Sequence, residues 1–343
     1  MQFYNQVCGG KMRFILFSLI VTTVTSALSL GTAELSFPYP NLNRTLITEH
    51  YYPSKEQDDA ITHAHGPWMR QNYLKNAPLK PGTSYPLVVF SHGYQGDRFG
   101  QSWIAEAFVK KGYMVAMIDH TQNTSYDHSD LFSYTSMWQR PLDLSHLISF
   151  LIEHPTWGKV IDKKRIIAMG FSLGGLTALW LGGMEADRQL FKNVLEKGYS
   201  RWMEWPEHDK EKARKVDWGL AAKSYHDTRI KAAISIAPDL GEGFASAGVN
   251  QLKTPTLIVV GDQDHVTPLH TISQSFALSP LARLTVLKNA NHYSFMNRCS
   301  TLGQRLTPYL CQDTNVRANV LRETFKMIEA FLDKTFPSPS AHK

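Results

Sequence analysis

"RIIAMGFSLGGLTALW", residues 165–180, is an apolar stretch that breaks at a serine between glycines and then resumes. Residues 166–169 read as a short buried strand and residues 176–181 as a helix, so the G-x-S-x-G pattern at 170–174 falls on the turn between them. Glycine neighbours leave room for a serine in so sharp a turn, which projects the hydroxyl above the sheet edge. Ser172 is therefore a candidate nucleophile, and an ordinary glycine-rich turn is the alternative.

Short apolar runs recur along the chain and are typical of parallel strands buried on both faces. They lie at residues 87–90, 114–118, 166–169, 232–237, 257–260 and 284–287. Between them, apolar residues repeat every three or four positions, which predicts amphipathic helices. These helices are expected at residues 104–111, 144–152 and 316–334. The alternation predicts an α/β fold with a doubly wound, mostly parallel sheet and helices on both faces.

The length and composition of the chain suit one large domain. With 343 residues, of which 43% are hydrophobic, the chain is neither disordered nor fibrous in composition, and a single domain is expected over residues 34–336. An N-terminal extension and signal peptide are expected at residues 1–27, because Lys11 and Arg13 precede an apolar run and then small residues. A membrane anchor is the alternative, although the run is short for a bilayer. Export predicts a secreted or periplasmic protein.

Two segments interrupt the alternation of strands and helices. Residues 184–229 contain no strand-like run but hold Trp202, Trp205 and Trp218 among many charges. This segment is predicted to be a helical insertion over the carboxyl edge of the sheet, either as a lid or as a plain surface excursion. Residues 34–85 read as irregular structure with up to two strands, around "RTLITEHYY".

A serine nucleophile needs a base and an acid, and both residue types follow the last two predicted strands. "GDQDHVTP" and "KNANHYSF" stand at these strand ends, on the sheet edge that carries Ser172. His292 is the candidate base, and the acid is Asp262 or Asp264. Asp264 is preferred because it stands further from the strand and fits a G-x-x-D-x-x-x-P spacing. Taken alone, His292 is equally well explained as a surface histidine, and Asp264 as a residue that forms a turn. The joint placement of the two residues favours a catalytic triad.

The tetrahedral intermediate of acyl transfer needs two backbone N–H donors. Leu173, directly after the nucleophile at the helix start, is expected to supply one of them. Tyr94 is expected to supply the other, from the loop "SHGYQGDR" in which Gly93 lets the main chain turn inward. The ring of Tyr94 could also form one wall of an acyl pocket.

Two further features of the sequence depend on export of the protein. Cys299 and Cys311 are twelve positions apart and are expected to form a disulfide, with two free buried thiols as the alternative. Asn43 and Asn123 begin glycosylation sequons, which matter only in a eukaryotic secretory host.

Metal and nucleic-acid binding are not expected. His63 and His65 form an H-x-H pair and Asp119 precedes His120, but no further ligands stand at a suitable spacing for zinc. Asp119 and His120 are instead expected to line the rim of the pocket. The net charge of +6 is too small and too scattered to indicate nucleic acid.

Seven segments between residues 80 and 335 carry a family resemblance: "PLVVFSHGYQGDR", "KKGYMVAMIDHTQNTS", "RPLDLSHLISFL", "IDKKRIIAMGFSLGGLTAL", "AAISIAPDLG", "TPTLIVVGDQDHVTP" and "ANHYSFMNRC". The chain resembles the α/β-hydrolases, and within them a secreted dienelactone-hydrolase-like group related to platelet-activating-factor acetylhydrolases and cutinase-type polyester hydrolases. The resemblance implies a Ser-His-Asp esterase without metal or cofactor. Ser172 stands where true dienelactone hydrolases have cysteine, so their substrate is not carried over.

These features predict a secreted serine hydrolase that cleaves small-molecule or lipid carboxylic esters through an acyl-enzyme, without a stable membrane anchor. Three alternatives remain. A lipase or phospholipid acetylhydrolase is favoured if the insertion is an interfacial lid. An amidase or peptidase would use the same residues on another bond. A catalytically silent binding protein on the same fold is the third, and the complete set of catalytic residue types argues against it.

Overall fold

A ten-stranded sheet organises the chain in the computed structural model, which describes residues 29–55, 61–81, 84–129, 135–201, 211, 216–244, 246–272, 279–312 and 314–337. The strands are β1 (Ser29–Tyr39), β2 (Arg44–Ser54), β3 (Ile61–His65), β4 (Trp68–Lys75), β5 (Tyr85–Ser91), β6 (Met114–Asp119), β7 (Ile161–Phe171), β8 (Ile230–Ile236), β9 (Thr256–Gly261) and β10 (Ala282–Leu287). The helices are α1 (Ser102–Lys110), α2 (Thr135–Glu153), α3 (Leu173–Leu181), α4 (Arg188–Arg201), α5 (Trp218–Ala221), α6 (Ser246–Val249), α7 (Thr301–Leu306) and α8 (Thr314–Thr335). The expected signal peptide at 1–27 lies outside the described residues.

The predicted doubly wound, mostly parallel sheet is confirmed. Six parallel strands lie in the order β6-β5-β7-β8-β9-β10, and they are the six predicted from apolar runs. Side chains alternate between the two faces of these strands. In β5, Val88 and Phe90 pack in the core that contains α1 and α8. Leu87 and Val89 pack on the opposite face, in the core that contains α2 and α3. Helices therefore cover both faces of the parallel sheet.

The prediction of mainly irregular structure over residues 34–85 is wrong in part: the strand expected around "RTLITEHYY" is present as β2, but β1, β3 and β4 are strands as well. β1 and β2 form an antiparallel pair of eleven-residue strands, and β2 continues the sheet by pairing antiparallel with β6. The prolines in this region argue against strands, because proline cannot donate to a ladder. However, Pro38 and Pro53 are each the next-to-last residue of their strand. β1 also begins at Ser29, before the predicted start of the domain at residue 34.

The described part of the 184–229 insertion is helical, as predicted. Phe191 of α4 contacts the rings of Trp180 in α3 and Phe244, with ring centroids 5.6 and 6.2 Å apart. Phe244 follows β8 at its carboxyl end, so α4 covers that edge of the sheet. Trp202 and Trp205 lie outside the described residues, and a lid function for this segment stays a prediction.

The predicted disulfide is present: Cys299 and Cys311 are bonded to each other and enclose α7. The guanidinium of Arg317, in α8, donates to the carbonyl oxygen of Asn297, just before this loop, and to that of Leu310, within it. The loop is thereby attached to α8 by hydrogen bonds as well as closed covalently. Across the described ranges, no helix combines the length and the apolar content needed to cross a bilayer.

Candidate active site

Ser172 lies on the turn between β7 and α3, in a backbone conformation that non-glycine residues rarely adopt. Its φ of 54° and ψ of −120° are strained, and such a conformation persists only where the surroundings hold it. The Ser172 N–H donates to the carbonyl of Ile236 at 2.9 Å. The Ser172 carbonyl accepts from the N–H groups of Asp239 at 3.2 Å and Leu176 at 3.1 Å. These bonds to β8, to the loop after it and to α3 fix the serine at the carboxyl edge of the sheet.

The glycines around Ser172 are required by close backbone packing. A Cβ atom on Gly174 would lie 2.7 Å from the carbonyl oxygen of His92 and would overlap that of Ser91. A Cβ atom on Gly93 would lie 3.2 Å from Cβ of Ser172. The start of α3 therefore lies directly against the end of β5, and the loop after β5 adjoins the serine.

His292 and Asp264 are hydrogen-bonded to each other, with His292 Nδ1 2.8 Å from Asp264 Oδ2. The other carboxylate oxygen, Oδ1, accepts from the N–H groups of Val266 at 2.9 Å and Thr267 at 2.7 Å. The Thr267 hydroxyl donates to Oδ2 at 2.9 Å. Burial acts to raise the pKa of Asp264, but the hydrogen bonds from His292 and Thr267 outweigh it and leave this pKa lowered. Asp264 is therefore an ionised acceptor.

Asp262, the alternative acid in the sequence, points to other partners. Its Oδ1 accepts from the N–H of Asn289 at 2.7 Å, and its Oδ2 lies 3.3 Å from Nζ of Lys288. Asp262 thus stabilises the turn after β10. Of the two aspartates, Asp264 is the one that bonds to His292.

The three predicted triad residues lie at one edge of the sheet, where His292 contacts Asp264 and the residue before Ser172. Phe171, which precedes Ser172, has its ring centroid 4.8 Å from that of His292. The side chains lie in a protected position, because Ser172, Asp264 and His292 are 7%, 4% and 4% exposed. With hydrogen on Nδ1 to donate to Asp264, the neutral form of the His292 ring has a lone pair at Nε2 that can take a proton. The arrangement has the parts needed for general-base activation of a hydroxyl.

Both predicted oxyanion donors belong to main-chain segments that adjoin Ser172. Leu173 is the first residue of α3, and the first N–H groups of a helix have no partner within it. Tyr94 follows Gly93 in the loop that adjoins the serine. The Tyr94 side chain is 39% exposed. Both main-chain segments can therefore present N–H groups to an atom bonded to Ser172.

Asp119 and His120 were expected at the pocket rim, and this prediction is wrong because both are buried. Asp119 is bonded to Arg98 and Tyr126. His120 contacts the hydroxyl of Ser91 at 2.8 Å and belongs to an internal network. The reason lies in the sheet: β6 runs between β5 and β2, so the residues that end it lie inside the protein.

Two charged side chains of α2, Arg140 and Asp143, are buried beside this site and were not predicted from the sequence. The signal was present in "RPLDLSHL", because Arg140 and Asp143 each stand four residues before a buried leucine and so fall on the buried face of the helix. Arg140 donates to Oδ1 of Asn123 at 3.0 Å, and Asn123 is itself buried. The sequon at Asn123 is therefore inaccessible in the folded protein, whereas Asn43 lies in an exposed turn.

Within the residues that the structure describes, no group of three or more His, Cys, Asp or Glu side chains is arranged to hold a metal ion. His63 and His65 lie in β3, for which the structure describes the backbone alone.

Comparisons with known proteins agree with this fold. The family described as "Platelet-activating factor acetylhydrolase, isoform II" matches residues 37–137. The prolyl oligopeptidase family matches residues 99–300, a segment that includes Ser172, Asp264 and His292. The strand order and the serine turn define the protein as an α/β-hydrolase. Within that class, since the match spans more than half of its length, the chain belongs to the prolyl oligopeptidase family.

The sequence identity to the individual proteins described next is low. Platelet-activating factor acetylhydrolase of Canis lupus familiaris is 30% identical in an alignment 123 residues long, and the match covers 28% of this chain and 27% of that protein. Cutinase 2 of Thermobifida cellulosilytica is 23% identical over 200 residues, which are 57% of this chain and 55% of that protein. The chain thus spans between about a quarter and just over half of these relatives. A ferulic acid esterase from Streptomyces cinnamoneus shares the fold, with a TM-score of 0.60, 19% identity and coverage of 94% of this chain and 95% of that one.

Proposed function

We propose that the protein is a serine hydrolase that cleaves carboxylic esters through an acyl-enzyme. The observation that carries the proposal is the 2.8 Å hydrogen bond between His292 and Asp264 at the sheet edge that holds the strained Ser172. The nucleophile is Ser172, the base is His292, and Asp264 orients the base. The N–H groups of Tyr94 and Leu173 stabilise the oxyanion.

In the acylation step, Nε2 of His292 takes the proton of the Ser172 hydroxyl as its oxygen attacks the ester carbonyl. Asp264 holds the ring with hydrogen on Nδ1 and stabilises the positive charge that forms. The negative charge on the carbonyl oxygen is met by the two backbone N–H groups. Collapse of the intermediate expels the alcohol, to which His292 returns the proton. The same residues then activate water to release the acid, so the reaction needs no metal and no cofactor.

Export is part of the proposal. The basic and apolar residues before position 28 fit a signal peptide, and the Cys299–Cys311 disulfide fits an oxidising compartment. We propose a secreted or periplasmic location and a small-molecule or lipid ester as substrate.

Two other hydrolytic activities are each favoured by one observation. The match to the prolyl oligopeptidase family favours an amidase or peptidase. The match to platelet-activating factor acetylhydrolase favours action on phospholipid esters. Ester and anilide substrates with the same acyl group separate the first activity from the esterase. A rate increase at the concentration where the substrate aggregates would identify the second.

The test is hydrolysis of p-nitrophenyl esters from acetyl to palmitoyl by the wild-type protein and by Ser172→Ala. The proposal predicts a loss of kcat on the order of 10⁶ in the variant. A matched control is Ser235→Ala, which removes another buried serine hydroxyl, in β8, and should retain activity. Equal and slow turnover of every ester by wild type and Ser172→Ala would show that the nucleophile is wrongly assigned, and a binding role would become the better explanation.

A further inference from the structure

A second chain of Ser, His and Asp side chains lies below the loop that carries Tyr94. Ser91 Oγ lies 2.8 Å from His120 Nε2, and His120 Nδ1 lies 2.9 Å from Asp143 Oδ2. The three residues are 0%, 2% and 0% exposed, so no substrate reaches them. Their surroundings include two more buried polar residues, His92 and Arg140, and these two contact the main chain at Gly93.

Arg140 directs its guanidinium at this main chain. Its Nη1 donates to the carbonyl of His92 at 2.5 Å, and its Nη2 lies 3.4 Å from the carbonyl of Gly93. Nη2 also donates to Oδ1 of Asn123 at 3.0 Å, and this oxygen accepts from the N–H of Gln95 at 3.1 Å. Burying a guanidinium costs free energy unless its N–H groups find hydrogen-bond acceptors. The hydrogen bonds of Arg140 therefore hold their acceptors firmly in place. Those acceptors are two consecutive carbonyls and the amide that holds the next turn.

The hydrogen bonds of His92 determine its protonation. Its Nδ1 lies 2.7 Å from the carbonyl oxygen of Gly93, and its Nε2 lies 3.1 Å from the backbone N of His120. A carbonyl only accepts and a backbone N–H only donates, so the ring carries its hydrogen on Nδ1 and none on Nε2. Burial lowers the pKa of His92 to about 3, and the neighbouring Arg140 acts in the same direction. His92 is therefore a neutral donor to Gly93 at neutral pH.

Three donors thus point at one carbonyl oxygen, that of Gly93: His92 Nδ1, Arg140 Nη2, and the N–H of Gly96 at 3.1 Å. The peptide bond between Gly93 and Tyr94 is planar and trans, so its C=O and its N–H point in opposite directions. Holding the carbonyl toward α2 therefore turns the Tyr94 N–H the other way. Gly93 approaches Ser172 closely, which places this N–H beside the serine.

We propose that Arg140 and His92 are positioning residues, which hold the Gly93–Tyr94 peptide so that the Tyr94 N–H serves as an oxyanion donor. The inference rests on the proposed esterase function and goes beyond it, because neither side chain touches the substrate.

The first test compares Arg140→Lys with the control Arg317→Lys. Arg317 is also buried and also donates to backbone carbonyls, but it lies beside the disulfide loop. The measurements are kcat and KM for a p-nitrophenyl ester and Ki for a trifluoromethyl ketone, whose serine adduct carries an oxyanion. Arg140→Lys should lower kcat about 10- to 100-fold and raise Ki in parallel, with KM within about twofold. Arg317→Lys should lower the melting temperature while kcat and Ki stay within about twofold of wild type.

A second pair of variants isolates the contact made by His92. In His92→Asn the side-chain amide can replace Nδ1–H as a donor to Gly93, whereas His92→Leu removes the donor at similar volume. Both variants lose the ring nitrogen that accepts from the His120 N–H, and only His92→Asn keeps a side-chain donor that can reach the Gly93 carbonyl. His92→Asn should retain a kcat about tenfold higher than that of His92→Leu. This pair decides the question if Arg140→Lys does not fold.

Two results would overturn the inference. The first is a fall in kcat and a rise in Ki in Arg140→Lys that are no larger than those in Arg317→Lys, and the second is equal kcat in His92→Asn and His92→Leu. Failure of the proposed function itself gives a different result. In that case the wild-type protein hydrolyses no ester faster than Ser172→Ala. An active wild type, an inactive Ser172→Ala and an unaffected Arg140→Lys would leave the esterase proposal intact and remove only the positioning role.

Discussion

His292 Nδ1 lies 2.8 Å from Oδ2 of Asp264, across a separation of 28 residues. The contact joins the ends of β9 and β10, which are neighbouring parallel strands. Parallel strands bring their carboxyl ends to one edge of the sheet, so two loops that are distant in sequence face each other there. The hydrogen bond fixes the orientation of the His292 ring, and the proposed base activity depends on this orientation.

We expect Asp264→Asn to lower kcat by about 10³ to 10⁴, because the amide disfavours hydrogen on Nδ1 of His292 and cannot stabilise the imidazolium. Asp262→Asn is the matched control, since Asp262 bonds to the turn after β10. It should change kcat by no more than about threefold. Steady-state kinetics on the best p-nitrophenyl ester checks both variants. Equal losses would contradict the assignment of Asp264.

Gly174→Ala should destabilise the protein by about 3 kcal/mol or more, because the new Cβ would overlap the carbonyl of Ser91 and crowd that of His92. The control is Gly112→Ala, where a Cβ meets nothing within 4 Å but φ is +79°. Gly112→Ala should lower the free energy of unfolding by about 1 to 2 kcal/mol, because a left-handed backbone conformation is its only unfavourable effect. Urea unfolding measures both values. A smaller loss for Gly174→Ala than for Gly112→Ala would show that the contact with β5 is not tight.

The buried His50 should make the protein sensitive to acid. Burial, with a smaller contribution from His154, lowers the pKa of His50 to about 3, below the ordinary value of about 6.5. The unfolded chain therefore binds a proton that the folded protein excludes. Above pH 6.5 the His50 ring is neutral in the folded and the unfolded protein, so its contribution to the free energy of unfolding is present in full. This contribution is lost as the pH falls from 6.5 toward 3. This one group contributes a slope of about 1.4 kcal/mol per pH unit within that window.

His50→Phe keeps an aromatic ring beside Trp157 and removes two ring nitrogens that have no hydrogen-bond partner among the described residues. The free energy of unfolding of this variant, measured by urea at several pH values, should depend less steeply on pH between 6.5 and 3 than that of the wild type. Because the pKa of His92 is also lowered to about 3, part of the slope should remain. His128→Phe, at an exposed position, is the control and should leave the slope unchanged. An identical slope in His50→Phe would contradict the prediction.

Replacing both Cys299 and Cys311 by serine should destabilise the protein by about 3 kcal/mol, because opening a loop of this length restores entropy to the unfolded chain. Thermal unfolding measures the change. Dithiothreitol should lower the melting temperature of the wild type to that of the double variant and leave the variant itself unchanged. A wild type that does not respond to reduction would show that the disulfide contributes little.

The parallel half of the fold could be predicted because the apolar runs of β5 to β9 are buried on both faces and therefore appear in the sequence as continuous runs, whereas β10, at the edge of the sheet, is only partly buried. The antiparallel half was predicted only in part: β2 was expected around "RTLITEHYY", but β1 and the full length of the pair were not. The prolines of β1 and β2 stand next to the strand ends, where a missing donor is tolerated, and this position is visible only once the pairing is known.

Some residues of the candidate site could likewise be predicted from the sequence, and others could not. Ser172, Asp264, His292, Leu173 and Tyr94 follow strands, or directly adjoin a residue that does, so topology predicts that they meet. Arg140 comes from the middle of the chain on α2, and His92 looks like an ordinary loop residue. Their importance lies in hydrogen bonds to backbone carbonyls, and no sequence pattern encodes those bonds.

The most direct test of the account is labelling of the wild-type protein with a fluorophosphonate, followed by mass spectrometry of its peptides. A serine activated by a base forms a stable phosphonyl adduct, whereas unactivated serines do not. The account predicts one adduct on the peptide that contains Ser172, absent from Ser172→Ala and strongly reduced in His292→Ala. No adduct, or an adduct on another serine that persists in Ser172→Ala, would contradict the assignment of the nucleophile.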